Sequence, residues 1–246
     1  MQNSSEMPNK ETIRQMFDNI APEYDAFNHI TSLNVDRSWR RRALKKIVVH
    51  GRRQEIMDLA CGTGDFTIAI ARSLEEGSHV TGVDLSEGML SIMRRKVIAE
   101  GLEEKISIQS GEGENLAFQN DSFDAVAIAF GIRNFENREQ SLNEILRVLR
   151  PTGKLVILEL SEPSNRIVRM FYNFYFTKIM PLIGKKLSGN AEGAEAYRYL
   201  PASVLKFPQK EEWMATMRSC GFADVTHKAF SLGICRMYTG IKPLTS

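Results

Sequence analysis

Cysteine is scarce in this 246-residue chain. Cys61, Cys220 and Cys235 are scattered and odd in number, so neither a disulfide framework nor a zinc-ligand spacing is present, and a reducing compartment is expected. Histidine is equally thin: His29, His50, His79 and His227 form no ligand pair, and no metal is expected. No run approaches the roughly 18 apolar residues that a membrane span requires. The polar stretch Met1 to Lys10 lacks the apolar segment of a secretory leader, so a cytoplasmic protein is expected. Neither sign of charge dominates, and a net charge of +2 gives no electrostatic case for a nucleic-acid partner. Internal repeats and low-complexity tracts are missing too. What remains is a chain with 43% hydrophobic residues, enough for the core of one α/β domain with an insertion.

The informative stretch is Glu55-Ile-Met-Asp-Leu-Ala-Cys-Gly-Thr-Gly-Asp65. A short apolar run reads as a buried strand, breaks at Gly62-Thr63-Gly64, and gives way to a helical pattern from Phe66. Strand, glycine turn and helix bring a backbone close to a nucleotide-like ligand, and a side chain at the turn would block that approach. A second apolar run, His79 to Val83, ends in Asp84, where an acid suits the two hydroxyls of a ribose. A dinucleotide loop would need a third glycine and would place pyrophosphate against Asp58 and Asp65. S-adenosylmethionine has no phosphate and carries a cationic sulfonium and amino group, so these carboxylates favour it.

The rest of the chain alternates strand and helix. Strands are expected at 79–84, 105–110, 125–130 and 154–160, with helices at 65–75, 87–99 (capped by Ser86) and 138–149, and a turn at Arg150 to Gly153. The loops Gly111 to Asn115 and Gly131 to Phe135 leave strand C-termini, where ligands bind in open α/β sheets. Before this core, a helix over 11–20 is expected to end at Pro22, followed by the cluster Tyr24, Asp25, His29. A second helix over 34–50 turns Trp39, Ala43, Leu44 and Ile47 inward. Its other face carries Arg37, Arg40, Arg41, Arg42, Lys45 and Lys46, either a solvated face or one attracted to anionic lipid at about 1 kcal/mol per basic residue. After the core, Asn165 to Lys186 is helical in pattern and rich in aromatics, either an ordinary core helix or a lid over an apolar substrate. A helix at 209–220 and two strands, 222–230 and 234–241, close the chain. The organisation is thus a tail and helical cap (1–53), a Rossmann-like cofactor core (54–160), a helical insertion (161–207) and a helix with a hairpin completing the same domain (208–246).

Several stretches together resemble the ubiquinone/menaquinone biosynthesis C-methyltransferase family: Phe17 to Asn28, Asp58 to Asp65, Gly82 to Met89, Phe123 to Asn134, Leu146 to Glu159 and Tyr197 to Pro208. The loop Phe130-Gly-Ile-Arg-Asn134 and the stretch Tyr197 to Ser203 are the specific ones. The resemblance implies a class I S-adenosylmethionine-dependent methyltransferase, a doubly wound seven-stranded α/β sheet with a C-terminal antiparallel hairpin and a helical lid. It implies cofactor contacts at Thr63, Asp84, Glu112 and Gly113, which join Asp58, Gly62 and Gly64 of the glycine turn as the expected cofactor site. Many members have Asn-Ala or Asp-Ala where this chain has Glu112-Gly113, so adenine is expected to meet backbone there. Some members carry a serine where this chain has Ala129.

The implied reaction transfers a methyl group to a ring carbon of a polyprenylated demethylmenaquinol, giving menaquinol. A ubiquinone precursor or another apolar phenol is the alternative acceptor. Such chemistry needs a positioned ring, a proton acceptor and a stabiliser for the developing phenolate. Arg133 suits the last role and cannot be the base itself. Acceptors to weigh are a water held by Arg133 and Asn134, or Tyr24, Asp25 or His29. Peripheral contact with the inner face of the cytoplasmic membrane and a homodimer remain open, as does a non-catalytic membrane or RNA-binding role on the same scaffold.

Overall fold

The computed structural model describes residues 9–32, 34–179, 182, 199 and 202–244. Tyr197 and much of the expected 161–207 insertion lie outside them. The apolar runs become the interior of one seven-stranded sheet of order β3-β2-β1-β4-β5-β7-β6. Strands β1 (Glu55–Leu59), β2 (His79–Asp84), β3 (Ile106–Ser110), β4 (Phe123–Ala129) and β5 (Leu149–Leu160) are parallel. Strands β6 (Ala223–Phe230) and β7 (Cys235–Ile241) form the antiparallel end, with β7 pairing β5. This is the doubly wound architecture with a terminal hairpin that the alternation predicts.

Helices cover both faces. On one, α2 (Val35–Ile47) and α3 (Asp65–Ser73) bring Trp39, Ala43, Ile47, Phe66 and Ile70 onto Ile56, Ala125 and Val156. On the other, α5 (Arg138–Val148) and α7 (Glu211–Ser219) bring Leu142, Ile145, Trp213 and Met217 onto Met57, Val126 and Tyr238. Helix α6 (Arg166–Phe174) follows β5 and runs into a π-helical turn at Tyr175–Ile179. Helix α4 (Glu87–Ala99) begins as expected, Ser86 accepting from the Met89 amide at 3.1 Å.

Two local expectations are corrected. Helix α1 runs unbroken over Lys10–Thr31 with Pro22 inside it. Proline removes the bond to the Asp18 carbonyl, but packing outweighs the loss: Ile20 and Ala21 bury against Met89 of α4. The run Arg150 to Gly153 is not a free turn but belongs to β5. Its backbone is bound by the chain after β7, with Thr152 N donating to the Lys242 carbonyl and Lys242 N to that of Gly153, both at 2.9 Å. Thr152 takes a left-handed φ of 65° to follow that path.

Parallel strands end in register, Asp58 beside Gly82 and Leu59 beside Val83. The loops after β1 and β4 therefore meet at one edge. A methyl group on Gly131 would collide with Ala60 Cβ. Ala60 and Phe130 hold left-handed φ values of 57° and 65°, a cost the surrounding packing must bear.

Candidate active site

Four loops and one helix build the site. The turn after β1 places Gly62 and Gly64 at φ 56° and 86°; at Gly64 a side chain would also strike Met93. The Gly62 amide donates to Asp84 Oδ2 at 2.8 Å, and the Ser86 amide donates to Oδ1 at 2.9 Å. Asp84 thus stands half-buried at the end of β2, and desolvation holds its pKa above the usual carboxylate range. Each oxygen keeps a further lone pair for a ligand hydroxyl.

Helix α1 closes over this edge and is tied down three times. Asp18 Oδ1 accepts from Ser86 Oγ at 2.6 Å and from the Gly88 amide at 2.9 Å, at the electropositive start of α4. Asp25 accepts from Thr63 Oγ1 and pairs with Lys96, both at 2.5 Å. Lys10 pairs with Glu112 at 2.7 Å. Under the helix runs a cleft lined by Ile13, Phe17, Asp84, Met89, Gly113 and Phe135. Glu112 spends its carboxylate on Lys10, which leaves backbone at this position. Gly113 has a packing reason: a Cβ there would sit 2.6 Å from Phe135 Cε2.

A smaller cavity of about 40 Å³ opens on the other side of Tyr24, lined by Asp25, Arg40, Asp58, Cys61, Thr63 and Phe130 among others. Asp58 is buried there; its Oδ2 accepts from Thr67 at 2.6 Å, while Oδ1 has no partner. Burial raises its pKa to about 7. Arg40 lines the same cavity with its buried Nε unpartnered, its Nη1 bonded to Asp36 at 2.7 Å. Arg40 therefore leaves the solvated basic face expected for it; its guanidinium lies 5.7 Å from the Phe130 ring centroid. An unsatisfied acceptor and an unsatisfied donor lining one pocket match the ammonium and carboxylate of an amino acid. Tyr24, Ala60, Gly62, Ala129 and Phe130 line both cavities.

Beside this junction lies Arg133, 3% exposed. Its Nη1 pairs with Glu159 Oε1 at 2.7 Å and bonds the Phe130 carbonyl; its Nε donates to Ser203 Oγ at 3.1 Å. Glu159, fully buried on β5, also accepts from the Arg133 and Leu160 amides. Phenols from three parts of the chain, Tyr24, Tyr172 and Tyr199, feel the guanidinium, and burial raises the pKa of each. Tyr199 donates to Asn134 Oδ1 at 3.1 Å. The Tyr172 hydroxyl is buried without a partner.

A family model described as the ubiE/COQ5 methyltransferase family matches residues 5–242. The chain belongs to that family. It is 44% identical over 234 residues to a ubiquinone/menaquinone biosynthesis C-methyltransferase of Geobacter sulfurreducens, covering 95% of this chain and 90% of the relative. It is 43% identical over 239 residues to a demethylmenaquinone methyltransferase of Bacteroides fragilis, covering 97% and 96%. Among solved structures, a methyltransferase of Thermotoga maritima superposes with a TM-score of 0.64 at 19% identity, covering 93% of this chain and 99% of that one, which supports the class I methyltransferase fold.

Within this methyltransferase, Tyr24, Asp25, Asp58, Gly62, Thr63, Gly64, Asp84, Glu112, Gly113, Arg133 and Asn134 all lie around the one edge. Their positions differ in what they leave available. Asp25 is committed to Thr63 and Lys96. The side chain of His29 lies outside the described residues. Sequence reasoning did not single out Glu159, Tyr172 or the inward turn of Arg40. A signal for Glu159 existed: a carboxylate inside the apolar run Leu155 to Leu160 must find a cation. Among the described residues no cluster of His, Cys, Asp or Glu could hold a metal, and no helix is long and apolar enough to cross a membrane.

Proposed function

We propose that this methyltransferase uses S-adenosylmethionine to methylate a ring carbon of a polyprenylated demethylmenaquinol, the last step to menaquinol. The observation that carries the cofactor reading is that Asp58 Oδ1 and Arg40 Nε, both buried without a partner, belong to residues lining one pocket, beside a cleft that Asp84 also lines. Asp58 would take the cofactor's ammonium, Arg40 its carboxylate and Asp84 its ribose. The backbone at Glu112-Gly113 and the apolar walls of Phe17, Met89 and Phe135 would take adenine. The cofactor, when bound, supplies an electrophilic methyl group on a sulfonium, which this placement sets near Tyr24 and Phe130, where the two cavities meet.

The acceptor reading rests on the relatives, whose names speak of quinone biosynthesis, and on Arg133. Held by Glu159, Ser203 and the Phe130 carbonyl, the guanidinium is fixed before substrate arrives, and a preorganised cation in a dry site stabilises a developing phenolate. Tyr172 and Asn134 would bond the quinol oxygens. Burial makes Tyr24 a poor acceptor at neutral pH and Asp25 is already paired. Beside His29, whose side chain lies outside the described residues, a water held between Arg133 and Asn134 is the acceptor we assign for the hydroxyl proton. The described residues of the cap (1–53) and of the insertion (161–207) would act as walls around the core (54–160), with those of 208–246 completing the sheet. The prenyl tail places the reaction at the inner face of the cytoplasmic membrane.

The test supplies labelled S-adenosylmethionine with chemically reduced short-chain demethylmenaquinol and, separately, the benzoquinol precursor of ubiquinone. Label in the naphthoquinol alone is expected. Label in both makes the enzyme act in both pathways. Label in neither, with the cofactor bound, ends the quinol reading.

A further inference from the structure

Helix α6 is amphipathic the wrong way round for a helix resting on a core. Tyr172 points inward and is 6% exposed, with Phe176 beside it at a ring-centroid distance of 4.1 Å. Outward, at helical spacing i, i+3, i+4, i+7, stand Ile167, Met170, Phe171 and Phe174, exposed at 67, 61, 63 and 58%. Side chains so spaced share one stripe, and large contiguous apolar patches on a soluble surface mark an interaction site.

The patch does not end with the helix. The turn between β6 and β7 carries Leu232, 76% exposed. This turn abuts the entry to α6: Ser161 Oγ donates to the Gly233 carbonyl, and Gly233 lies against Pro163 and Ser164. It is joined on its other side to α2, where Trp39 Nε1 donates to Ser231 at 3.0 Å and Arg42 lies over Phe230. Apolar side chains are therefore flanked by exposed cations: Arg166 and Lys178 along the helix, Arg42 beside the turn. Of the nearby acids, Glu162 faces Arg169 at 3.6 Å.

We propose that this surface docks on an anionic lipid bilayer, the α6 stripe and Leu232 entering the headgroup–acyl boundary while the flanking cations meet lipid phosphates. An apolar stripe with a basic border is the chemistry of an interfacial helix. A second protein copy would not require that border. The choice of occupant draws on the quinol reading, since a prenylated acceptor resides in such a bilayer. The same helix then has two tasks: its outer face meets lipid, and its inner face carries Tyr172 to Arg133.

The experiment needs neither quinol nor turnover. The protein is sedimented with vesicles of phosphatidylethanolamine and phosphatidylglycerol, and with vesicles of phosphatidylcholine alone. Binding to the anionic vesicles that weakens with salt is expected, with Met170→Asp/Phe174→Asp binding at least about tenfold less tightly. The double variant replaces exposed side chains, so its thermal midpoint and its activity on a water-dispersed short-chain acceptor should stay at the wild-type level. Equal vesicle binding by wild type and variant overturns the proposal. So does a wild type that ignores vesicles but forms a dimer the variant disrupts. Vesicle binding that depends on α6 in a protein that methylates no quinol would uphold the docking surface and reject the substrate.

Discussion

Removing the Tyr172 hydroxyl separates two effects that usually travel together. A buried hydroxyl without a partner costs about 1–3 kcal/mol of desolvation, so Tyr172→Phe should leave the urea midpoint unchanged or raised. If that hydroxyl bonds the quinol, the same change should lower kcat on demethylmenaquinol about tenfold while the cofactor Kd stays constant. A rate equal to wild type would remove Tyr172 from the site. Glu159→Gln moves both quantities down. It leaves the Arg133 cation buried without its counter-charge, at a cost of about 3 kcal/mol. The misplaced guanidinium should then slow single-turnover methyl transfer about a hundredfold. Urea unfolding and a single-turnover assay on the same preparation check this, and a stable, fast variant would show that Arg133 holds its place unaided. These residues also mark where sequence reading stops. Asp84 and Gly62 declare themselves because both sit at the ends of recognisable runs. Glu159 reaches its partner 26 residues away, in the turn after β4, and nothing local names that partner.

Helix α1 illustrates how an element can contradict its own sequence. Pro22 and a polar stretch argue for a break, yet burial of Ile20 and Ala21 and the ties from Asp18 and Asp25 hold one helix across the C-terminal edge of the parallel strands. Strands and the helices between them were legible because their apolar periods are local. The path of 150–153 was not, because it depends on pairing with the residue at 242. Arg40 was misplaced for a related reason: its side chain answers to Asp36, Phe130 and the cavity beneath rather than to the helix period. The ties of α1 predict an element-scale result. Asp18→Ala removes the bonds to Ser86 and Gly88 and should cost about 1–2 kcal/mol of docking. Hydrogen exchange should then quicken in residues 10–31 and at the start of α4, while β1, β4 and β5 keep their protection. Cofactor affinity should weaken about tenfold, since the lid must be reordered on binding. Uniform loss of protection across the sheet would mean that Asp18 supports the whole fold and not the lid.

At the scale of the whole molecule, Asp58 couples folding to pH, and in the proposed cofactor site to ligand as well. Its folded pKa lies at about 7 against an ordinary 3.8, raised chiefly by burial. Between about pH 4 and 7 the native protein therefore holds a proton that the unfolded chain has released, so stability falls as pH rises through that window. Above it the penalty is constant and at most about 4 kcal/mol. Asp58→Asn carries no such titration, and the stability difference between variant and wild type should grow from pH 5 to 7.5 and then level off. The cofactor should reverse the sign of this effect. A ligand ammonium beside Oδ1 favours the carboxylate, so binding near pH 6 should expel a proton that the ligand-free protein retains. Calorimetric titrations in buffers of different ionisation enthalpy would measure that release directly. Close to one proton is expected for wild type at pH 6, falling toward none by pH 8, with none at either pH for Asp58→Asn. Binding heats that do not depend on buffer at pH 6 would mean that the ammonium lies elsewhere, and with it the assignment of the Asp58–Arg40 pocket would fall.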